Sequence, residues 1–262
     1  MAMRKSILLV CGLFSLASFA MSKVPSSQAW VREQGQSALL FDYFENVETI
    51  QKDGVAELVT HTVFVDRETK QDAFREILTT DSEQRFMISY EVENLQINEK
   101  GSIVVDRATK KVNYRYFKED KWRENVEDLV EPFLVGPMIK HFIQLNETAL
   151  VGDEKLRFYL GVPYLNKSFH FSLQKDEMKD FEGGQIVSLK MVPTNLLVRA
   201  AVKPLYFSYD PASHQVRQIF GKVFLKKRTK DGFQPFMAET FFLKNPVEAP
   251  TAAPTTAASK KK

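Results

Sequence analysis

Phe158-Tyr159-Leu160-Gly161-Val162-Pro163, followed after a short polar stretch by Phe169-His170-Phe171-Ser172-Leu173, decides the fold. In both segments a large apolar side chain returns at every second position. A period of two belongs to a strand with one buried and one wet face. The same alternation runs through Val187, Leu189 and Met191, through Phe86, Ile88, Tyr90 and Val92, and through Val112, Tyr114 and Tyr116. Many such runs separated by polar turns predict an antiparallel meander.

A local repeat supplies the turns. Val65-Asp66-Arg67-Glu68-Thr69-Lys70 is echoed by Val105-Asp106-Arg107-Ala108-Thr109-Lys110 and by Tyr209-Asp210-Pro211-Ala212-Ser213-His214. An aspartate opening a turn accepts backbone N–H groups two residues on, and Pro211 suits the next position of a type I turn. Calcium would need six or more oxygens from several acids, which no copy supplies. These are hairpin turns.

Two stretches depart from the strand period. Gly136-Pro137 opens a run in which Met138, Ile139, Phe142, Leu145 and Ala149 recur at helical spacing, with proline fitting a first helical turn. The second runs from Thr194 to Lys203, capped by Thr194 or Asn195 and stopped by Pro204. Each has one apolar face, so both are expected to lie against the sheet. The fold class is therefore α+β: a curved antiparallel sheet, an open half-barrel, with helices packed on its concave side.

The ends have a different character. Arg4 and Lys5 precede an apolar run from Ile7 to Ala20 that closes on Ser18-Phe19-Ala20, the layout of an export signal cleaved after Ala20. Its 14 residues would rise only about 21 Å as a helix, short of a hydrocarbon core of about 30 Å. Lipid anchoring at Cys11 is disfavoured, because Val10 stands where that motif wants a small residue and the apolar run continues past the cysteine. Cys11 is the sole cysteine, so the mature chain has no disulfide or thiolate chemistry. Residues 21–36 read as a flexible segment and 37–244 as one β-rich domain. The Pro/Thr/Ala tail from 245 to 262 cannot bury enough surface to offset its ordering entropy. Periplasmic or secreted location follows.

Without Arg4 and Lys5 the 36 Lys and Arg fall to 34, against 33 Asp and Glu. The tail adds three lysines and one glutamate, leaving the body near neutrality. Nucleic acid, which needs clustered phosphate contacts, is excluded as a partner.

No catalytic or metal constellation emerges. The four histidines, His61, His141, His170 and His214, form no pair at helical ligand spacing and no His-Glu-x-x-His motif. No nucleophile elbow or phosphate loop is present. Asp42, Glu45 and Glu48 lie among Phe41, Tyr43 and Phe44; paired acids could serve glycoside chemistry, but a solvated strand face accounts for them. Trp122 beside Lys121 and Arg123 reads as an ordinary edge or core aromatic. No catalytic residue, metal or cofactor is assigned, and the protein is read as a monomeric non-enzyme. The 21 Phe and 8 Tyr instead suggest an apolar groove between the curved sheet and its helices. Met138, Phe142, Phe158, Phe169, Phe171 and Met191 are its candidate lining.

The segment from Val135 through Gly221 resembles a family of uncharacterised exported bacterial proteins. The likeness rests on Val135-Gly136-Pro137 with the following apolar helix and on Leu150-Val151-Gly152-Asp153-Glu154 leading into Phe158 to Pro163. It continues through Met191-Val192-Pro193, Leu197-Val198-Arg199, Val202-Lys203-Pro204-Leu205 and Phe207-Ser208-Tyr209-Asp210, ending at Phe220-Gly221. The order of elements is also similar to the lipoprotein-carrier (LolA-like) superfamily, an open β half-barrel whose concave side is plugged by helices. That resemblance implies an apolar cavity for acyl chains, and the uncharacterised family supplies no activity or functional residue to carry over. The expected function is a periplasmic binding protein for a lipid, a lipoprotein or another acylated partner. The alternative is an envelope scaffold with a filled core and a protein partner.

Overall fold

The computed structural model describes residues 25–181 and 184–246. The export-signal reading, with Cys11 and Ala20, and the tail beyond Pro246 fall outside the described residues. Eight strands come first: β1 (Ser27–Glu33), β2 (Leu39–Lys52), β3 (Val55–Asp66), β4 (Asp72–Asp81), β5 (Met87–Asn94), β6 (Glu99–Asp106), β7 (Lys111–Lys118) and β8 (Lys121–Asp128). A short β9 (Phe133–Leu134) leads into helices α1 (Met138–Leu145) and α2 (Glu147–Val151). Then follow β10 (Leu156–Val162), a 3-10 turn (Pro163–Leu165), β11 (Lys167–Phe181) and β12 (Gly184–Pro193). Helix α3 (Leu196–Ala201) precedes β13 (Leu205–Asp210), β14 (Gln215–Thr229) and β15 (Gly232–Phe242).

One sheet holds all of these strands, in the order β8-β7-β6-β5-β4-β3-β2-β1-β15-β14-β13-β12-β11-β10-β9. The chain meanders from β1 out to the edge strand β8, crosses through residues 129–132, and meanders back from β9 to β15, which pairs with β1. Pairing is antiparallel except between β9 and β10. The sheet does not close by a backbone ladder. Side chains lace the seam instead: Asn125 Nδ2 donates to the Asn166 carbonyl at 2.8 Å, and Glu127 accepts from Ser168 N at 2.8 Å and Oγ at 2.7 Å. This is the expected open, curved α+β half-barrel.

The three repeated turns share one geometry. Asp66, Asp106 and Asp210 each accept from backbone N–H groups two and three residues ahead. Each turn ends on a left-handed residue, Lys70, Lys110 and His214. They join β3 to β4, β6 to β7 and β13 to β14.

Three expectations are corrected. Residues 27–33, read as part of a flexible segment, form β1 at the centre of the sheet, with Ala29 and Val31 fully buried. Only two small apolar residues face the core there, so the alternation is too brief to announce a strand. In β5 a register shift beside Thr79 and Thr80 turns Met87 into the core and leaves Phe86 exposed, breaking the expected alternation. The helical run after Pro137 divides at Asn146, whose Nδ2 donates back to the Phe142 carbonyl at 2.8 Å.

The principal core lies on the concave side and is shared by both halves of the sheet. Met138, Ile139 and Ile143 of α1 and Leu150 of α2 pack with Tyr90, Ile103 and Tyr114 from the first half and Phe158, Leu173 and Tyr209 from the second. A smaller cluster joins Val31, Phe41, Phe74, Leu225 and Phe236 near β1. At Gly161 an added Cβ would stand 2.7 Å from Phe133 and 2.9 Å from Ile103, which leaves no room for a methyl group. Gly161→Ala should therefore cost about 1–3 kcal/mol through overpacking, read as a lower urea midpoint; an unchanged midpoint would show that Phe133 can move aside.

Helix α3 departs from the expected arrangement. Arg199 shares a cleft with Arg157, Ser172 and Val192, whereas their strand neighbours Phe158, Phe171, Leu173 and Met191 belong to the concave core. Strand alternation thus places α3 on the opposite, outer face. None of its residues is buried, and Leu196 and Leu197 are 76% and 84% exposed.

Candidate functional site

The six candidate lining residues do come together. Met138, Phe158, Phe171 and Met191 are buried in the concave core, and Phe142 and Phe169 pack against it. The Phe142 and Phe158 rings meet edge to face at 5.3 Å, and Phe158 stacks on Phe171 at 6.3 Å. Here α1 and α2 occupy the space that the sheet encloses.

One polar cluster interrupts the concave side. Along β2 the residues Phe41, Tyr43 and Glu45 share a face, because alternation carries past the aromatic pair. Glu45 therefore turns inward, while Asp42 pairs with Arg67 at 2.9 Å and Glu48 with His61 at 3.1 Å. The expectation that all three acids coat a solvated face fails at Glu45, whose side chain is 12% exposed. Lys140, reaching back from α1, sets its Nζ 2.8 Å from Glu45 Oε2 and 3.1 Å from the Tyr43 hydroxyl. The Tyr43 hydroxyl donates to Glu45. The same ammonium lies over the Phe242 ring at 4.8 Å.

The cluster continues across the sheet. Glu45 faces Thr62 on β3, and Thr62 faces Glu76 on β4. Glu76 accepts from the Tyr90 hydroxyl. Burial raises the Glu76 carboxyl to about 7; the negative charge of Glu45 adds to the rise, and Tyr90 and Lys140 oppose it. Burial pushes Glu45 the same way, but the Lys140 charge and the hydrogen bonds from Lys140 and Tyr43 outweigh it and leave Glu45 below its usual range. Burial, then the neighbouring carboxylates, push the Tyr43 and Tyr90 hydroxyls well above theirs. What this arrangement does chemically is clasp α1 to the sheet through one ion pair and hold a proton beside it.

Further contacts fasten the helical pair at its margins. His141 Nε2 lies 3.2 Å from the Glu83 carbonyl, Gln144 donates to the His214 carbonyl at 2.8 Å, and His214 Nδ1 meets Glu147 at 2.6 Å. His170 Nδ1 bonds the Thr194 hydroxyl at 2.9 Å, and its ring stacks on Tyr159. The histidines are thus dispersed, and no group of three metal-ligating side chains occurs among the described residues. Trp122 sits on the edge strand β8 against Phe117, beneath Arg115.

Two surface clefts lie away from the six candidates. A small one of about 80 Å³ is lined by Phe74, Val92, Tyr116, Pro163, Tyr164 and Phe224 among others. The larger, about 320 Å³, opens on the outer face beside α3, with Arg157, Ser172 and Val192 in its floor and Lys155, His170 and Arg199 around it. Sequence reasoning missed this second cleft. Its floor residues lie on the face opposite the core positions, and they become neighbours only once the register pairs Arg157 with Ser172 and Ser172 with Val192.

No protein-family model matches the chain, and no curated protein matches it. Solved structures do. A β-barrel-like protein of a domain of unknown function (DUF1849) from Brucella abortus is 9% identical, with TM-score 0.48, over 87% of this chain and 100% of that one. The hypothetical lipoprotein YmcC from Escherichia coli is 11% identical, with TM-score 0.29, over 88% and 93%. A proposed outer membrane lipoprotein-sorting protein domain from Vibrio parahaemolyticus is 10% identical, with TM-score 0.24, over 85% and 82%. At these identities and TM-scores the likenesses assign the chain neither a superfamily nor a role.

Proposed function

We propose that this is a non-enzymatic protein of the bacterial envelope, in the periplasm, that binds a lipid or an acylated partner in its concave interior, where α1 and α2 act as a displaceable plug. The observation that carries this reading is the Lys140–Glu45 clasp. A core meant to stay filled is held as well or better by apolar side chains, because a buried ion pair rarely repays its desolvation. Charge supplies an attachment that can be released. The magnitudes permit exchange: withdrawing Met138, Ile139, Ile143 and Leu150 forfeits about 6–12 kcal/mol, and burying about 14 methylenes of an acyl chain returns about 11 kcal/mol.

Native mass spectrometry of the mature chain from its own envelope, with titration of a fluorescent fatty-acid probe, tests this. The expected result is a bound acyl mass or micromolar probe binding, tightened several-fold in Lys140→Met, where the plug is unclasped. A clean apo mass, with no probe bound by either protein, would overturn it. Complete burial of Phe158, Leu173 and Ile143 favours a second reading in that event, an envelope interaction protein with a filled core.

A further inference from the structure

We propose that the cleft beside α3 docks the protein onto an anionic lipid bilayer, with phosphate-bearing headgroups in the cleft and Leu196 and Leu197 in the interfacial region. This does not depend on the interior binding an acyl chain, since it concerns the opposite face of the sheet.

The cleft is cationic and unneutralised. Lys155, Arg157 and Arg199 line it, no acidic residue does, and exposed Lys203 follows just after α3. None of these four cations makes an ion pair among the described residues. Lysines of β11 and β12, the strands that give Ser172 and Val192 to the cleft, behave differently: Lys175 pairs with Asp153 at 3.0 Å, and Lys190 with Asp176 at 3.6 Å. Unpaired cations around a concavity attract anionic groups, and guanidinium groups suit phosphate oxygens.

Apolar exposure stands directly beside this charge. In α3, Leu-Leu-Val-Arg-Ala-Ala, every residue but the half-buried Val198 is exposed. The helix is held in place: Asn195 Oδ1 caps it by accepting from Leu197 N at 2.9 Å and Val198 N at 3.2 Å, and Thr194 N donates to the His170 carbonyl at 2.9 Å. Two projecting leucines are costly to leave in water and are stabilised at the boundary between headgroups and acyl chains. A short apolar projection ringed by basic side chains complements a continuous anionic surface, where each cation adds attraction that salt screens.

Cosedimentation of the mature chain with vesicles of phosphatidylcholine alone, or mixed with phosphatidylglycerol, tests the proposal. Binding to the mixed vesicles should exceed that to neutral ones by about tenfold or more, and should fall about tenfold in Leu196→Ser/Leu197→Ser and in Arg157→Ala/Arg199→Ala. The substituted side chains are exposed, and unchanged thermal unfolding verifies the fold. The Lys260-Lys261-Lys262 end is common to all proteins compared, so their differences report the cleft. Equal binding to both vesicle types, or variants that bind like the parent, would overturn the proposal. So would absence of vesicle binding alongside saturable, Arg157-dependent binding of inorganic phosphate or an acidic peptide, which would assign the cleft to a soluble anion or a protein.

Discussion

Lys140→Met is expected to lower the free energy of unfolding at pH 7 by about 3 kcal/mol. Removing one partner of a buried ion pair costs about 3–5 kcal/mol, because the remaining charge stays desolvated and unpaired. The lower end applies here, since the Lys140 and Glu45 side chains keep 21% and 12% of their exposure. Methionine preserves much of the aliphatic stem lying over Phe242 and Tyr43, so the loss reports charge and not packing. Adding Glu45→Gln should recover most of the stability, giving a coupling energy of about 2 kcal/mol in the double-mutant cycle. The effect should shrink in acid. Glu45 is held below its usual range, so its stabilisation is present above the unfolded carboxyl value and is lost as pH falls through the folded one. Urea unfolding with constant slope supplies the numbers. Single and double variants both within about 0.5 kcal/mol of the parent would show that the clasp holds nothing.

That clasp also marks the limit of what the residues alone disclose. Alternation through Phe158 to Val162 and Phe169 to Leu173 made β10 and β11 legible, since each strand carries its own period. The aspartate turns were legible for the same reason: Asp66, Asp106 and Asp210 satisfy their own neighbours. Extending the period of Phe41 and Tyr43 by one step would have turned Glu45 inward. Its partner could not have been found that way, because Lys140 lies 95 residues away and arrives on a helix packed across the concave face. The orientation of α3 was illegible for another reason. Six apolar-rich residues carry too little period to distinguish a face against the sheet from a face against something outside the chain. The closure of β15 onto β1 is a pairing of distant segments, Ala29 with Phe242, set by topology and not by local pattern.

Glu76→Gln should stabilise the protein in alkaline conditions and leave it unchanged in acid. The folded state raises this carboxyl from 4.5 to about 7, chiefly by burial. A raised carboxyl means that the native chain holds the proton more tightly than the unfolded chain, so stability falls as pH rises between the two values. The full penalty, about 3 kcal/mol from that difference at about 1.4 kcal/mol per unit, is present above pH 7 and absent below 4.5. Glutamine removes it, because it cannot ionise, and its carbonyl can still accept from Tyr90. The variant should therefore gain up to about 3 kcal/mol at pH 8 and nothing at pH 4.5, with the change concentrated between about 5 and 7. Glu45 acts with the opposite sign, but below the ordinary carboxyl range, so the two profiles separate on the pH axis. Urea midpoints of parent and variant at pH 4 and 8 suffice. Profiles that run parallel would mean the proton does not reside on Glu76. Convergence at pH 4 and divergence at pH 8 would place an ionisable carboxyl beside Lys140, so that rising pH weakens the sheet around α1 while the clasp itself stays ionised.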